Sequence, residues 1–201
     1  MSDIWFTSDL HFGHSNIVVG TSTWEDKTRC RNFKTVEEHN EVLIDFINSN
    51  VKQGDILYHL GDWSFGGKDN VIKYRNRLYV ETIHVTLGNH DHHIAKVGTD
   101  EYKAFTTVQK TIDLEGRNPM FMSHYKHAIW AKSHKGVIHL YGHSHGEAEH
   151  MIIGKSMDVG IENAIKLLGE PRPFHMDEIL WLMSKRNIQV IDHHNPKDKN
   201  S

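Results

Sequence analysis

Five apolar, β-branched runs in this chain stop abruptly at Asp, Asn or His, and that repeated layout limits what it can fold into. Residues 82–87 lead into Gly88-Asn89-His90-Asp91, 4–8 into Asp9-Leu10-His11, 56–60 into Gly61-Asp62, 120–123 into His124, and 137–141 into Gly142-His143-Ser144-His145. Runs of this length and composition read as buried strands. The polar residues then sit at the strands' carboxyl ends, where a glycine lets the backbone turn sharply. Five strand ends presenting one kind of side chain imply a single shared site.

The elements between these runs set the class. Thr35-Val36-Glu37-Glu38 is a capping-box pattern, with Thr35 as N-cap, and the apolar positions Val36, Leu43, Phe46 and Ile47 after it share one helical face. A second helix is expected over about 69–78. The first half therefore reads β-α-β-α-β, an α/β arrangement of parallel strands whose ligands bind beyond the strands' carboxyl ends. The second half carries shorter strands, at 107–113, 119–123, 137–141, 151–153, 156–159 and 187–192. A hairpin turn is expected at 115–118, a tight turn at Gly154-Lys155, a short helix or loop at 126–131, and a helix over 176–184. Two sheets packed on each other with helices outside follow from this order.

The 201 residues give room for one domain, expected over 1–194 with a polar tail at 195–201. The net charge of −3 provides no global positive field for long nucleic acid. No run approaches the roughly 18 apolar residues of a membrane span, and the start of the chain lacks a basic leader pattern. One cysteine, Cys30, rules out an internal disulfide and suits a reducing compartment. These features imply a cytoplasmic protein.

The chain has 18 histidines, of which His11, His90, His124, His143 and His145 fall in the strand-end motifs. His39, His59, His84, His92, His93, His127, His134, His139, His150, His175, His193 and His194 read as surface or hydrogen-bonded core residues. Asp9 and His11 lie two apart, so an extended segment turns both to one side. Turn chemistry alone would be met as readily by Gly, Ser and Pro. The residues present are instead oxygen and nitrogen donors suited to borderline divalent metals. Setting His90 aside, Asp9, His11, Asp62, Asn89, His124, His143 and His145 are seven donors, more than one ion needs, which suggests two ions with Asp62 as the natural bridge. The polar stretch 20–34, with Lys27, Arg29, Arg31 and Lys34, reads either as a solvated loop or as a lid over an anionic substrate. Lys73, Arg75 and Arg77 read as a solvated helix face.

The series Asp9-x-His11, Gly61-Asp62, Gly88-Asn89-His90-Asp91, His124 and Gly142-His143-x-His145 resembles the calcineurin-like metallophosphoesterase superfamily, in the family's order and over residues 3 to about 145. The strings Asp9-Leu10-His11-Phe12-Gly13-His14 and His59-Leu60-Gly61-Asp62-Trp63-Ser64-Phe65-Gly66 look like a compact bacterial and phage branch of it, and Met157-Asp158-Val159-Gly160-Ile161 resembles the strand that follows the metal histidines there. The resemblance implies a four-layer α/β/β/α sandwich with two divalent metals at its rim. Mn2+ is the first choice, with Fe, Zn, Ni, Co and Mg as alternatives. It assigns Asp9, His11, Asp62 and His145 to the first metal, and Asp62, Asn89, His124 and His143 to the second. His90 is left to hydrogen-bond the phosphate or protonate the leaving group, and Asp91 to fix the loop. His14, Asn16 and Lys126 are candidate substrate contacts; Lys126 falls where this branch often has proline after His-Tyr.

The expected activity is metal-dependent hydrolysis of a phosphodiester or phosphomonoester, with a small nucleotide-like substrate and a hydroxide activated between two metals. Two rivals stand beside it. A non-catalytic protein-binding scaffold of the same fold would be expected to lose ligands or the catalytic histidine. A nuclease on longer nucleic acid would need residues 27–34 and 73–77 to line one groove.

Overall fold

The computed structural model describes residues 2–151 and 153–191 of the chain. Its regular elements are β1 (Ile4–Thr7), α1 (Val36–Asn50), β2 (Ile56–His59), α2 (Lys68–Arg75), β3 (Thr82–Thr86), α3 (Asp100–Lys103), β4 (Thr107–Gln109), β5 (Thr111–Leu114), β6 (Met120–Ser123), β7 (Ile138–Tyr141), β8 (Ser156–Asp158), α4 (Ile161–Leu168), β9 (Phe174–His175) and α5 (Met176–Ser184). Short 3-10 turns occupy Ser15–Ile17, Ser133–Lys135 and Glu147–His150.

The strands form two mixed sheets, mostly parallel. The first has the order β4-β3-β2-β1-β9, with β9 antiparallel on the β1 edge. The second has the order β5-β6-β7-β8, where β5 and β6 make the hairpin and the remaining pairs are parallel. Thr7 lies opposite His59, and His59 opposite Val85. Three strand ends are thereby level, and their loops emerge side by side.

Alternation along the strands divides the interior. Leu57, Ile83 and Val85 face Leu43, Ile44 and Ile47 of α1 and Val71 and Tyr74 of α2. Phe6 and Tyr58 point the other way and join Met120, Met122, Ile138, Leu140 and Met157 of the second sheet, with Ala164 of α4 and Ile179 and Met183 of α5. That second cluster is the seam between the sheets. The remaining face of the second sheet, carrying Phe121, His139 and Tyr141, is covered by the loop after β6: Trp130 packs on His139 at 5.2 Å and His127 on Phe121 at 5.1 Å.

Several expectations need correction. The Thr35 hydroxyl does accept from Glu38 N, but the Glu38 carboxylate reaches Lys34 N rather than Thr35 N, so that box is half made. The reciprocal arrangement forms at α5, between His175 and Glu178. The expected strand at 107–113 is two strands in different sheets, broken at Lys110. Residues 126–131 take the loop form, one of the two expected for them. No strand forms at Met151 or Ile153, nor over 187–191; Ile152 and residues 192–201, including His193, His194 and the tail, lie outside the described residues. Helix α4 was not anticipated, although Gly169 ends it in the left-handed conformation at φ 81°. Among the described residues no helix is long and apolar enough to cross a membrane.

Leu140 is fully buried in the seam. Its replacement by Ala is expected to lower unfolding free energy by about 2–5 kcal/mol in urea titrations, with an unchanged denaturant slope.

Candidate metal centre

The loops after β1, β2, β3, β6 and β7 meet at one end of the two sheets. Asp9, His11 and His145 form one group of potential ligands and Asp62, His124 and His143 a second, the donor atoms of each lying within 4.8 Å of one another. Asp62 stands between them: its Oδ2 is 3.7 Å from His11 Nε2 and 3.5 Å from His124 Nε2. Asn89 adds its amide oxygen 3.2 Å from His124 Nε2. Seven residues singled out in the sequence thus converge, and each group draws on both sheets.

The backbone here is strained. Among the described residues six non-glycine positions have positive φ, and five of them are Asp9, His11, Asp62, His143 and His145, at 47–64°. Left-handed conformations of this kind cost on the order of 1–3 kcal/mol each and persist where function or surroundings demand them. Backbone bonds hold the strained turns: Asp9 N donates to Gly61 O and His11 N to Asp62 O. Each carboxylate also spends one oxygen on the backbone, Asp9 Oδ2 accepting from His143 N at 2.9 Å and Asp62 Oδ1 from His90 N at 3.0 Å. The other oxygen of each stays available. Close approach explains Gly142, where an added Cβ would lie 1.9 Å from Ser8 Oγ and 2.5 Å from Asp9 Oδ2.

Asp9 Oδ1 and both ring nitrogens of His11 are buried without a hydrogen-bond partner. Leaving such groups unpaired costs about 1–3 kcal/mol apiece, so the cluster is costly unless something with positive charge and empty orbitals meets it. Burial, together with the nearby carboxylates Asp158 and Asp62, pushes the Asp9 carboxyl well above its usual range, although His145 opposes this. Burial, Arg31 and His145 push His11 well below its usual value, so its ring is neutral with a lone pair to offer. The Leu60 carbonyl can only accept, so the 2.8 Å contact puts a proton on His124 Nδ1 and turns Nε2 toward Asn89 Oδ1 and Asp62 Oδ2. The donor set fits divalent cations.

Around this cluster, His90 is exposed, with its ring 4.6 Å from Phe65 and 5.8 Å from His11. His14 stacks on Phe65 at 3.8 Å and lies 5.5 Å from His11; burial and the nearby His90 lower it to about 4. Asp91 accepts from the backbone N–H groups of Asp62, Trp63 and Gly88, which ties two ligand loops together. Two exposed aromatics flank the rim. Trp24, 44% exposed, stands edge-on to His14, and Tyr125, 48% exposed, packs on His124 and His143.

Two predicted contacts are used elsewhere. Lys126 donates to the carbonyls of Ala148 and Met151 and lies over the Tyr141 ring, on the face of the second sheet away from the seam, so it adds no charge to the cluster. The Asn16 side-chain oxygen accepts from Thr23 N and Oγ1, closing the loop on itself. Three cations of the basic runs are spent within the chain as well. Arg75 donates to the carbonyls of Ala104 and Glu81, Arg77 pairs with Glu41 through both carboxylate oxygens, and Arg31 is buried.

Three supporting residues escaped the sequence reading. The Asp158 carboxylate accepts from Ser144 Oγ, Gly146 N and Gly160 N and so shapes the loop that presents His143 and His145. Glu162, in the first turn of α4, lies 2.9 Å from His145 Nδ1. Arg31 reaches the same carboxylate from the opposite end of the chain. Asp158 sits in a string already noted, whereas an acid early in a helix reads as ordinary helix-dipole compensation.

The fold and the cluster define an α/β protein of two mixed sheets with a paired Asp/His site at the strands' carboxyl ends. No family model matches the chain. It is 27% identical over 194 residues to an uncharacterized protein of Methanocaldococcus jannaschii, across 94% of this chain and 95% of that one. It is also 27% identical over 178 residues to the Gene 66 protein of Mycobacterium phage L5, across 72% of this chain and 78% of that one. A crystal structure of a protein of unknown function from Aquifex aeolicus shares the fold, with a TM-score of 0.63 at 20% identity over 90% of this chain and 100% of the other.

Adding Mn2+ to chelator-treated protein is expected to raise its melting temperature, by an amount set by free ion over dissociation constant, about 2.7 kcal/mol at a hundredfold excess over that constant. The gain should grow as pH rises from about 5 to about 7, because a bound ion displaces protons from the Asp9 carboxyl, which burial holds above its usual range, and from His145, which Glu162 holds above its own against the effect of burial. Gly142→Ala should abolish the gain, read by differential scanning fluorimetry with and without ion.

Proposed function

We propose that this chain is a metal-dependent phosphohydrolase of the calcineurin-like metallophosphoesterase kind, acting on a phosphodiester or phosphomonoester of a nucleotide. The observation that carries this reading is the pair of ligand groups joined through Asp62 Oδ2 on strained backbone. In it Asp9, His11, Asp62 and His145 hold one divalent ion and Asp62, Asn89, His124 and His143 the other, with Mn2+ the first candidate. Bound there, two such ions supply Lewis-acid chemistry, making water nucleophilic near neutral pH and offsetting phosphate charge. The four-layer α/β/β/α sandwich is part of the same proposal; α1, α2 and the two sheets account for three of its layers.

The remaining work falls to side chains beside the ligands. Hydrolysis forms a bond from water oxygen to phosphorus and breaks the ester bond, and the departing oxygen needs a proton. His90 is the donor: it is exposed at the rim beside His11, and Phe65 limits its ring orientation. His14, held neutral, is a hydrogen-bond donor to a phosphate oxygen rather than a cation. Trp24 and Tyr125 offer flat surfaces on either side for a base or another planar group, which favours a nucleotide ester over a small aliphatic one. The internal engagement of Arg31, Arg75 and Arg77 argues against a groove for long nucleic acid.

His90→Ala is expected to lower turnover about 10²–10⁴-fold while metal content stays at two ions per chain. Activity against bis-p-nitrophenyl phosphate and p-nitrophenyl phosphate with Mn2+ separates diester from monoester preference; no turnover of either ester, or of nucleotide esters, with any divalent ion would sink the enzyme reading. Trp24→Ala should raise KM for a base-bearing ester about 2–10-fold, the range set by one aromatic stacking contact, and leave glycerol phosphate unchanged.

A further inference from the structure

We propose that Arg31 and Glu162 form a positioning pair for the first ligand group, fixing the turn that carries Asp9 and His11 and aiming the ring of His145. This rests on the two-ion reading above and extends it to residues outside the ligand set. Arg31 leaves the loop at 18–34 and turns inward until only 4% of it is exposed. Its Nη2 donates to Asp9 O and its Nη1 to Leu10 O, the two carbonyls that precede His11, and Nη1 also lies 2.9 Å from His39 Nε2. Its Nε donates to Glu162 Oε1 at 2.9 Å. One guanidinium therefore holds the strained turn from Asp9 to His11 and, with its remaining edge, a carboxylate 131 residues away in sequence. The fixed fork of donors suits this; the single ammonium of lysine could not span the same partners.

Glu162 passes the restraint on. The same Oε1 lies 2.9 Å from His145 Nδ1, and a carboxylate hydrogen-bonded from Arg31 accepts there, so the ring carries its proton on Nδ1 and offers Nε2. Carboxylate–histidine pairs of this kind set the tautomer and orientation of metal-binding histidines, and their loss typically costs 10–100-fold in affinity. Glu162 Oε2 is buried without a partner, so the carboxylate is not there for its own solvation. The second group is supported differently: His124 leans on the neutral Leu60 carbonyl. The basic loop is therefore neither lid nor solvated excursion at Arg31. It anchors the centre.

The test uses the full chain, stripped by chelator and titrated with Mn2+ by calorimetry. The wild type should take up two ions. In Glu162→Gln one of the two should bind about 10–100-fold more weakly and the other within about 2-fold of wild type. Arg31→Met combined with Glu162→Leu removes both buried charges together, so its ion-free melting temperature should return toward wild type while the weakened ion stays weak. If affinity recovered with the fold, or both ions weakened equally, the pair would be merely structural. A measurement on the ion-free wild type needs no variant: nitrogen-15 spectra, taken at a pH high enough for the ring to be neutral, should show His145 protonated on Nδ1, and the Nε2-protonated tautomer would overturn the proposal. Two ions bound with wild-type affinity by Glu162→Gln would overturn it while leaving the two-ion reading intact. A wild-type chain that takes up no ion would overturn both.

Discussion

Two carboxylates and several imidazoles have been taken out of water at the junction of two sheets, and much of the surrounding structure answers that one cost. Desolvation penalises the charge on Asp9, and its Oδ1 finds no protein donor. Such an arrangement is stable only if the chain is forced into it or a cation completes it. The chain supplies the first of these. Parallel strands end level and hand their loops to the same edge, and glycines at 88 and 142 admit the carboxylates of Asp62 and Asp9 to contact distance. Asp91 and Asp158 then use their buried carboxylate oxygens to gather backbone N–H groups, and the Ser144 hydroxyl, from the ligand loops. These two acids shape the site without belonging to its donor set.

Much of this was legible in the sequence, for identifiable reasons. A strand end is a local event, so the hydrophobic run and the polar residues after it declare themselves within about ten positions. The residues Asp9, His11, Asp62, Asn89, His124, His143 and His145 could therefore be collected from strings, and α5 was placed to the residue. The passage at Lys110 was not legible, because one β-prone stretch gives no sign that its halves pair with different sheets. Lys126 misled for a similar reason: its sequence position follows His124, but the chain leaves the site at once and carries the ammonium to the far face of the second sheet.

Arg31 and Glu162 illustrate a deeper limit. Each has an ordinary local explanation, one as a charge in a polar loop and the other as an acid in the first turn of a helix. Their meaning is relational and arises only when residues 131 apart meet. The positive backbone angles are of the same kind, since Asp9 and His11 have no glycine-like sequence signature. The donor side chains of this site announce themselves in the sequence, and those that hold them still do not.

The seam between the sheets has a composition that bears on the centre above it. Met120, Met122, Met157 and Met183 all lie in that buried cluster, and methionine is the most pliable of the apolar side chains. Asp9, His11 and Asp62 come from one sheet while His124, His143 and His145 come from the other, so the two halves of the donor set are held at their spacing through those thioethers.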